Sequence, residues 1–133
     1  MFIIKNKCTE PAFNIALEEY FLSCFNDEFF SFWRNRPSVI IGRNQDALAE
    51  INMSFLKEND ISLVRRSTGG GAVFHDLGNV NFSYITACEK SDYFNFARFS
   101  EPIIYALKQL GLNAIPTGRN DLYPGFCAGG RHF

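Results

Sequence analysis

Arg65-Arg66-Ser67-Thr68-Gly69-Gly70-Gly71-Ala72-Val73-Phe74-His75-Asp76 places three consecutive glycines between two strand-like runs. Ile61 to Arg66 reads as the strand before them, and Ala72 to His75 as its expected partner after them. Glycine permits φ > 0 and lets a ligand approach the backbone closely. Successive N–H groups in such a turn form a concavity suited to phosphate or carboxylate oxygens. Arg65 and Arg66 are neighbours on a strand and so point to opposite faces. One can clamp an anion at the loop while the other packs elsewhere. Read as structure alone, the same residues are a glycine-rich turn with incidental charges. No Gly-Lys-Ser/Thr follows, so this is not a Walker loop. A strand-to-strand setting is also not the strand-to-helix setting of a dinucleotide fingerprint.

Upstream, Val39 to Arg43 reads as a buried strand after a turn at Pro37-Ser38, and Phe29 to Arg34 as an aromatic strand that makes Trp33 a core residue. Met1 to Ile4 is a first strand. Thr9 is expected to cap a helix with Pro11 in its first turn. Phe13, Ala16, Leu17, Tyr20 and Cys24 share one face of that helix, with Glu18 and Glu19 on the solvated side. Ser54 to Asn59 is a short helix capped by Asn52 or Ser54. Downstream, Asn81 to Thr86 alternates Phe82, Tyr84 and Thr86 against Asn81, Ser83 and Ile85, a strand with one polar face. Phe96 to Leu110 reads as a helix with Phe99, Ile103, Leu107 and Leu110 toward the core and Gly111 at C′. Its regular part is expected to begin near Ser100 or Glu101, with Pro102 in the first turn. Leu112 to Ile115 returns as a strand, and Tyr123 to Phe133 is expected to be irregular. Strands and helices do not alternate strictly. The pattern therefore predicts an α+β domain, a mixed and largely antiparallel sheet with flanking helices, rather than a Rossmann fold.

The 133 residues suit one domain, 1–133. A content of 47% hydrophobic and 20% charged residues is that of a globular protein. The 15 Phe predict a dense core or a greasy ligand channel. A net charge of −1 with scattered basic residues argues against a nucleic-acid surface and against a polybasic membrane patch. Cys8, Cys24, Cys88 and Cys127 form no C-x-x-C pair and give no support to a metal site. Without a signal-peptide pattern or a membrane-length apolar run, the expected compartment is the cytoplasm.

The glycine segment, followed by Gly78-Asn79 and Asn81-Phe82-Ser83, closely resembles the signature of lipoate–protein ligases. So do Asn14-Ile15-Ala16-Leu17-Glu18-Glu19, Trp33-Arg34, Val39-Ile40-Ile41-Gly42-Arg43-Asn44-Gln45, Glu50-Ile51-Asn52 and Gly118-Arg119-Asn120-Asp121-Leu122. These blocks stand in the family's order up to Leu122. The resemblance implies the class II synthetase and biotin–lipoate ligase fold, and a two-step reaction. ATP and lipoate give lipoyl-adenylate and pyrophosphate; the lipoyl group then passes to a lysine. The acceptors it implies are lipoyl domains of 2-oxoacid dehydrogenase E2 subunits or the glycine cleavage H protein. By position, Arg66, Gly71, Ala72, Val73, Phe74, Asn120 and Asp121 match the family's ATP and adenylate contacts, with Asp121 a Mg²⁺ or ribose partner. Gly70, Gly71, Phe74 and His75 match the lipoate site, expected to be a mostly apolar slot with a polar end.

The resemblance also carries a departure. After Gly-Arg-Asn-Asp the family places a lysine that bridges the lipoate carboxylate and the α-phosphate. Gly125 stands where that lysine is expected, and the last lysine is Lys108. The expectation is a partial catalytic domain, incomplete at its C-terminus, with impaired adenylation. Two alternatives remain open: a cysteine-dependent octanoyl or lipoyl transferase using Cys127, and a non-catalytic module that binds lipoate or adenylate.

Overall fold

The computed structural model describes residues 1–87, 96–116 and 122–124. Two compact units divide the chain, Met1–Ala87 and Cys88–Phe133.

In the first unit, β1 (Phe2–Lys5), β2 (Phe29–Trp33) and β6 (Asn81–Ile85) form one sheet in the order β1-β2-β6. β1 runs parallel to β2, and β6 runs antiparallel to it with Phe32 opposite Phe82 and Ser31 opposite Ser83. A second sheet has the order β4-β3-β5, from β3 (Ser38–Ile41), β4 (Ser62–Arg65) and β5 (Val73–His75). β4 is parallel to β3 and β5 antiparallel to it. The expected pairing of β5 with β4 is therefore corrected. The chain crosses over β3 at the glycines, because Val39 and Ile40 are the residues that face Phe74 and Val73.

Helix α1 (Pro11–Cys24) starts one residue later than expected. Its N-cap is Glu10, with no side-chain cap bond, while the Thr9 carbonyl accepts from Arg36 N–H instead. Its inward face is also not the predicted one. Pro11, Asn14 and Ile15 are buried, whereas Phe13 and Tyr20 stand about half exposed. Apolar residues surround this helix, so hydrophobicity alone does not locate its buried stripe. Polar partners do. Ser83 Oγ on β6 accepts from Trp33 Nε1 at 2.9 Å and donates to Glu18 Oε1. The polar side of β6 is thus the one turned inward, and Phe82 is exposed. Ile15, Trp33 and Ile40 form the hydrophobic core, with Val64 packed against it. Each such side chain contributes roughly 1.5–3 kcal/mol of burial. Phe21 stacks on Phe29 at 4.8 Å, and Phe2 and Phe25 close around the same ring. Of these four rings only Phe29 is buried, while Phe2 and Phe25 remain exposed.

Two short helices complete this unit. α2 (Ala47–Glu50) is capped by Asp46 and had no counterpart in the sequence reading. α3 (Met53–Glu58) is capped by Asn52, whose Oδ1 accepts from Phe55 N–H at 3.0 Å. Among the described residues, no helix is long and apolar enough to cross a membrane.

Burial raises the Glu18 carboxyl above its ordinary pKa, despite the opposing hydrogen bond from Ser83. A carboxyl whose folded value lies above its unfolded one binds more protons in the native state. Its contribution to stability then falls as pH rises from near 4.5 through the raised value. Glu18→Gln should therefore gain stability over the parent at roughly pH 8, and lose that advantage at roughly pH 4. Urea midpoints of both proteins measure this. An equal difference at the two pH values would show that Glu18 is not paying a desolvation cost.

In the second unit, α4 (Phe96–Gln109) is continuous through Pro102, which does not sit in a first turn as expected. Phe99, Ile103 and Leu107 are half-buried, but Leu110 is exposed. The helix closes as anticipated at Gly111, with Leu112 N–H on Leu107 O at 2.9 Å and Gly111 N–H on Lys108 O at 3.0 Å. β7 (Ala114–Pro116) pairs antiparallel with β8 (Leu122–Pro124), so the start of the stretch read as irregular is a strand. The whole is α+β with mixed pairing, as the pattern of elements indicated.

Candidate functional site: the glycine loop and its support

β3 and β4 are parallel neighbours, so their carboxyl ends lie together and the loops that follow them meet. Arg66 N–H donates to Ile41 O and Arg43 N–H to Thr68 O, at 3.0 and 2.9 Å. The loop rests on Gly42. A Cβ there would lie 2.1 Å from the carbonyl oxygen of Gly70, so no side chain fits between the two segments. Gly70 has φ +105°, a conformation that L side chains rarely adopt. Gly69 and Gly71 face open space. Among the described residues, no backbone N–H from Thr68 to Gly71 donates to a backbone carbonyl outside regular elements. These donors suit an incoming anion.

The two arginines divide their work. Arg65 Nη1 donates to the carbonyls of Gly42, Arg43 and Gln45 at 2.9, 3.1 and 2.7 Å, which binds the turn after β3 to β4. Gly42 N–H in turn donates to Gln45 Oε1 at 2.8 Å. Arg66 holds the glycine loop itself: Nη2 donates to Gly69 O and Gly71 O, each at 2.9 Å, and Nη1 to Ile40 O at 3.2 Å. Among the described residues, its guanidinium meets only neutral carbonyl dipoles. An anion at the loop would offer a stronger, charge-assisted partner.

Beyond the loop, Ala72, Val73 and Phe74 are exposed, Phe74 by 50%, and His75 is half-buried. The His75 ring meets Trp33 edge-on at 5.9 Å. Burial lowers its pKa below the usual imidazole value, and the Arg66 charge adds to that. Asp76 turns the chain: its Oδ1 accepts from Gly78 N–H at 2.7 Å.

The structure thus gathers Arg66, Gly70, Gly71, Ala72, Val73, Phe74 and His75 along one loop and the strand it enters. Asn120, Asp121, Gly125 and Cys127 lie outside the described residues. Among the described residues, no three His, Cys, Asp or Glu side chains converge to hold a metal. A separate cleft of about 570 Å³ opens beside the ends of β1 and β2, walled by Lys5, Lys7, Trp33 and Arg34 among others. No residue of the glycine loop lines it. Sequence reasoning gave no role to Gly42, Asn14 or Asn35. A glycine directly after the buried run Val39 to Ile41 was the signal available for Gly42.

A family model described as the lipoyl protein ligase A/B catalytic domain matches residues 10–132. Lipoate–protein ligase 1 of Staphylococcus aureus is 47% identical over 126 residues, which are 93% of this chain and 38% of that protein. The chain therefore spans well under half the length of this relative. Among solved structures, the bi-partite lipoate protein ligase of Thermoplasma acidophilum, studied with its E2 lipoyl domain, superposes with a TM-score of 0.86 at 34% identity. That match covers 91% of this chain and 49% of the other. A lipoate–protein ligase A bound with ATP gives a TM-score of 0.82 at 33% identity, covering 91% of this chain and 51% of the other.

Proposed function

Because this chain belongs to the lipoyl protein ligase A/B catalytic domain family, we propose that its glycine loop binds the adenylate of a lipoate–protein ligase reaction. In that reaction a carboxylate oxygen of lipoate attacks the α-phosphorus of ATP, the bond to the β-phosphate oxygen breaks, and pyrophosphate leaves. A lysine amine of a lipoyl acceptor domain then attacks the acyl carbon, AMP departs, and the nitrogen loses a proton. Acceptors of this kind are the lipoyl domains of 2-oxoacid dehydrogenase E2 subunits and the glycine cleavage H protein.

The observation that carries the reading is the Arg66 guanidinium held against a loop whose N–H groups from Thr68 to Gly71, among the described residues, make no bond to a backbone carbonyl outside regular elements. An α-phosphate there would take the charge of Arg66 and N–H groups from Gly71 onward. Phe74 and His75 would flank the lipoate, and Asn120 and Asp121 the nucleotide, with Asp121 the side chain for Mg²⁺ or ribose. Gly125 at the position of the family's lysine removes the charge that would bridge carboxylate and phosphate. Adenylation by this chain alone is accordingly slow, while binding persists.

Titration calorimetry with a non-hydrolysable lipoyl-adenylate analogue tests this on the whole chain. Binding is expected, and Arg66→Ala should weaken it roughly tenfold to a hundredfold, the loss of charge-assisted hydrogen bonds. No detectable binding by the parent would overturn the reading. Rapid pyrophosphate release with ATP, Mg²⁺ and lipoate would overturn the part that concerns the missing lysine.

A further inference from the structure

We infer that Asn14 and Asn35 form a polarity relay that fixes His75 as a neutral imidazole protonated on Nε2, with Nδ1 as acceptor. The argument starts from backbone atoms whose roles cannot change. The Cys8 and Arg34 carbonyls only accept, and one side-chain atom of Asn14 lies 3.0 Å from each. That atom must be the amide nitrogen, Nδ2. An independent anchor agrees. Cys8 N–H only donates, and it meets Asn6 at 2.9 Å, so that atom of Asn6 is Oδ1. The other end of Asn6 is then Nδ2, which donates to Asn14 Oδ1 at 2.7 Å. Both routes orient Asn14 the same way.

From Asn14 the polarity passes on. Its two N–H groups are shared among the Cys8 and Arg34 carbonyls and the side-chain end of Asn35, 2.9 Å away. Since Nδ2 has no lone pair to offer, that atom of Asn35 is Oδ1, which leaves Asn35 Nδ2 at the far end, 3.2 Å from His75 Nδ1. An amide nitrogen can only donate, so Nδ1 must present its lone pair. The ring's proton is then on Nε2. A second proton would set two donors face to face. Asn14 and Asn35 are 2% and 0% exposed, so solvent cannot take over either role. The charge of Arg66 also opposes an imidazolium at this place.

The relay joins four pieces of chain: the end of β1, α1, the segment after β2, and β5. Its output is a ring held edge-on to Trp33 with one N–H donor of known position. Asn14 and Asn35 are positioning residues; neither reaches the loop. On the reading of His75 as part of the lipoate site, the Nε2–H serves an oxygen acceptor of the ligand, and the ring is not available there as a base.

Long-range ¹H–¹⁵N correlation spectra of the ligand-free chain test the relay, with the second histidine, His132, assigned through His132→Gln. His75 is expected to show a protonated Nε2 and a pyridine-like Nδ1 in the parent. Asn35→Asp replaces the donor by a carboxylate oxygen, which still accepts from Asn14. It should move His75 to a form protonated at Nδ1. An Nδ1–H tautomer or a rapidly exchanging mixture in the parent would overturn the inference, even if the variant fails to fold. So would an unchanged His75 pattern in folded Asn35→Asp. The tautomer is read without ligand, so its failure is distinct from failure of lipoate binding.

Discussion

Gly42→Ala is expected to unseat the glycine loop, with a thermal midpoint lowered by roughly 10–20 °C and binding of the lipoyl-adenylate analogue lost. The new Cβ would sit 2.1 Å from Gly70 O and 3.0 Å from its carbonyl carbon. Both are backbone atoms, so no side chain can rotate away. If the loop lifts, the bond from Arg43 N–H to Thr68 O breaks, and so does the grip of Arg66 on the Gly69 and Gly71 carbonyls. If the turn after β3 yields instead, Gly42 N–H loses Gln45 and Arg65 loses its carbonyls. Overpacking of this kind costs about 1–3 kcal/mol, and each broken hydrogen bond about 1 kcal/mol more. Gly69→Ala is the control. Its Cβ meets nothing within 4 Å, so its stability should stay near that of the parent. Scanning calorimetry and the binding titration decide the matter. A Gly42→Ala chain that melts and binds like the parent would show that the loop does not rest on β3.

Asn14→Leu is expected to cost about 3–5 kcal/mol, a large share of the roughly 5–15 kcal/mol that holds a domain folded. Leucine has similar volume but no polar atoms. The substitution leaves the carbonyls of Cys8 and Arg34, Asn35 Oδ1 and Asn6 Nδ2 without their partner in one step. A stranded buried group costs more than a net hydrogen bond contributes, and the Asn35 end of the network is fully buried, while the ends at Cys8, Arg34 and Asn6 are part-buried. Urea unfolding followed by the fluorescence of Trp33, the single tryptophan, measures the loss. A change below about 1 kcal/mol would show that the network is not rigid.

Much of the site was legible before any coordinates. Glycines between strands, and an arginine pair ahead of them, are local features whose physical meaning travels with the sequence. The caps of α3 and the turn at Gly111 were legible for the same reason. Where the reading failed, the deciding contact was long-range. Five apolar residues at helical spacing pointed to one face of α1, but Asn14 and Glu18 lie on the face that turns inward. An asparagine is buried only where acceptors and donors from other segments meet it, and no window of sequence displays that. β5 was assigned to β4 because the two are adjacent in sequence, while β3 holds the place between them. Arg65 and Arg66 take different partners, and three of those carbonyls, on Ile40, Gly42 and Arg43, lie more than 20 residues upstream, where no local window shows them.

By itself, the sequence determined the composition of the loop, most of the strands and helices, the α+β class and the resemblance to lipoate–protein ligases. These depend on local backbone preference and on the order of motifs along the chain. Tertiary structure alone decided that Gly42 bears the loop, that Arg66 is held by the loop's own carbonyls, and that two buried asparagines orient His75. Strand pairing and the satisfaction of buried polar groups are joint properties of distant segments, and they exist only once those segments meet.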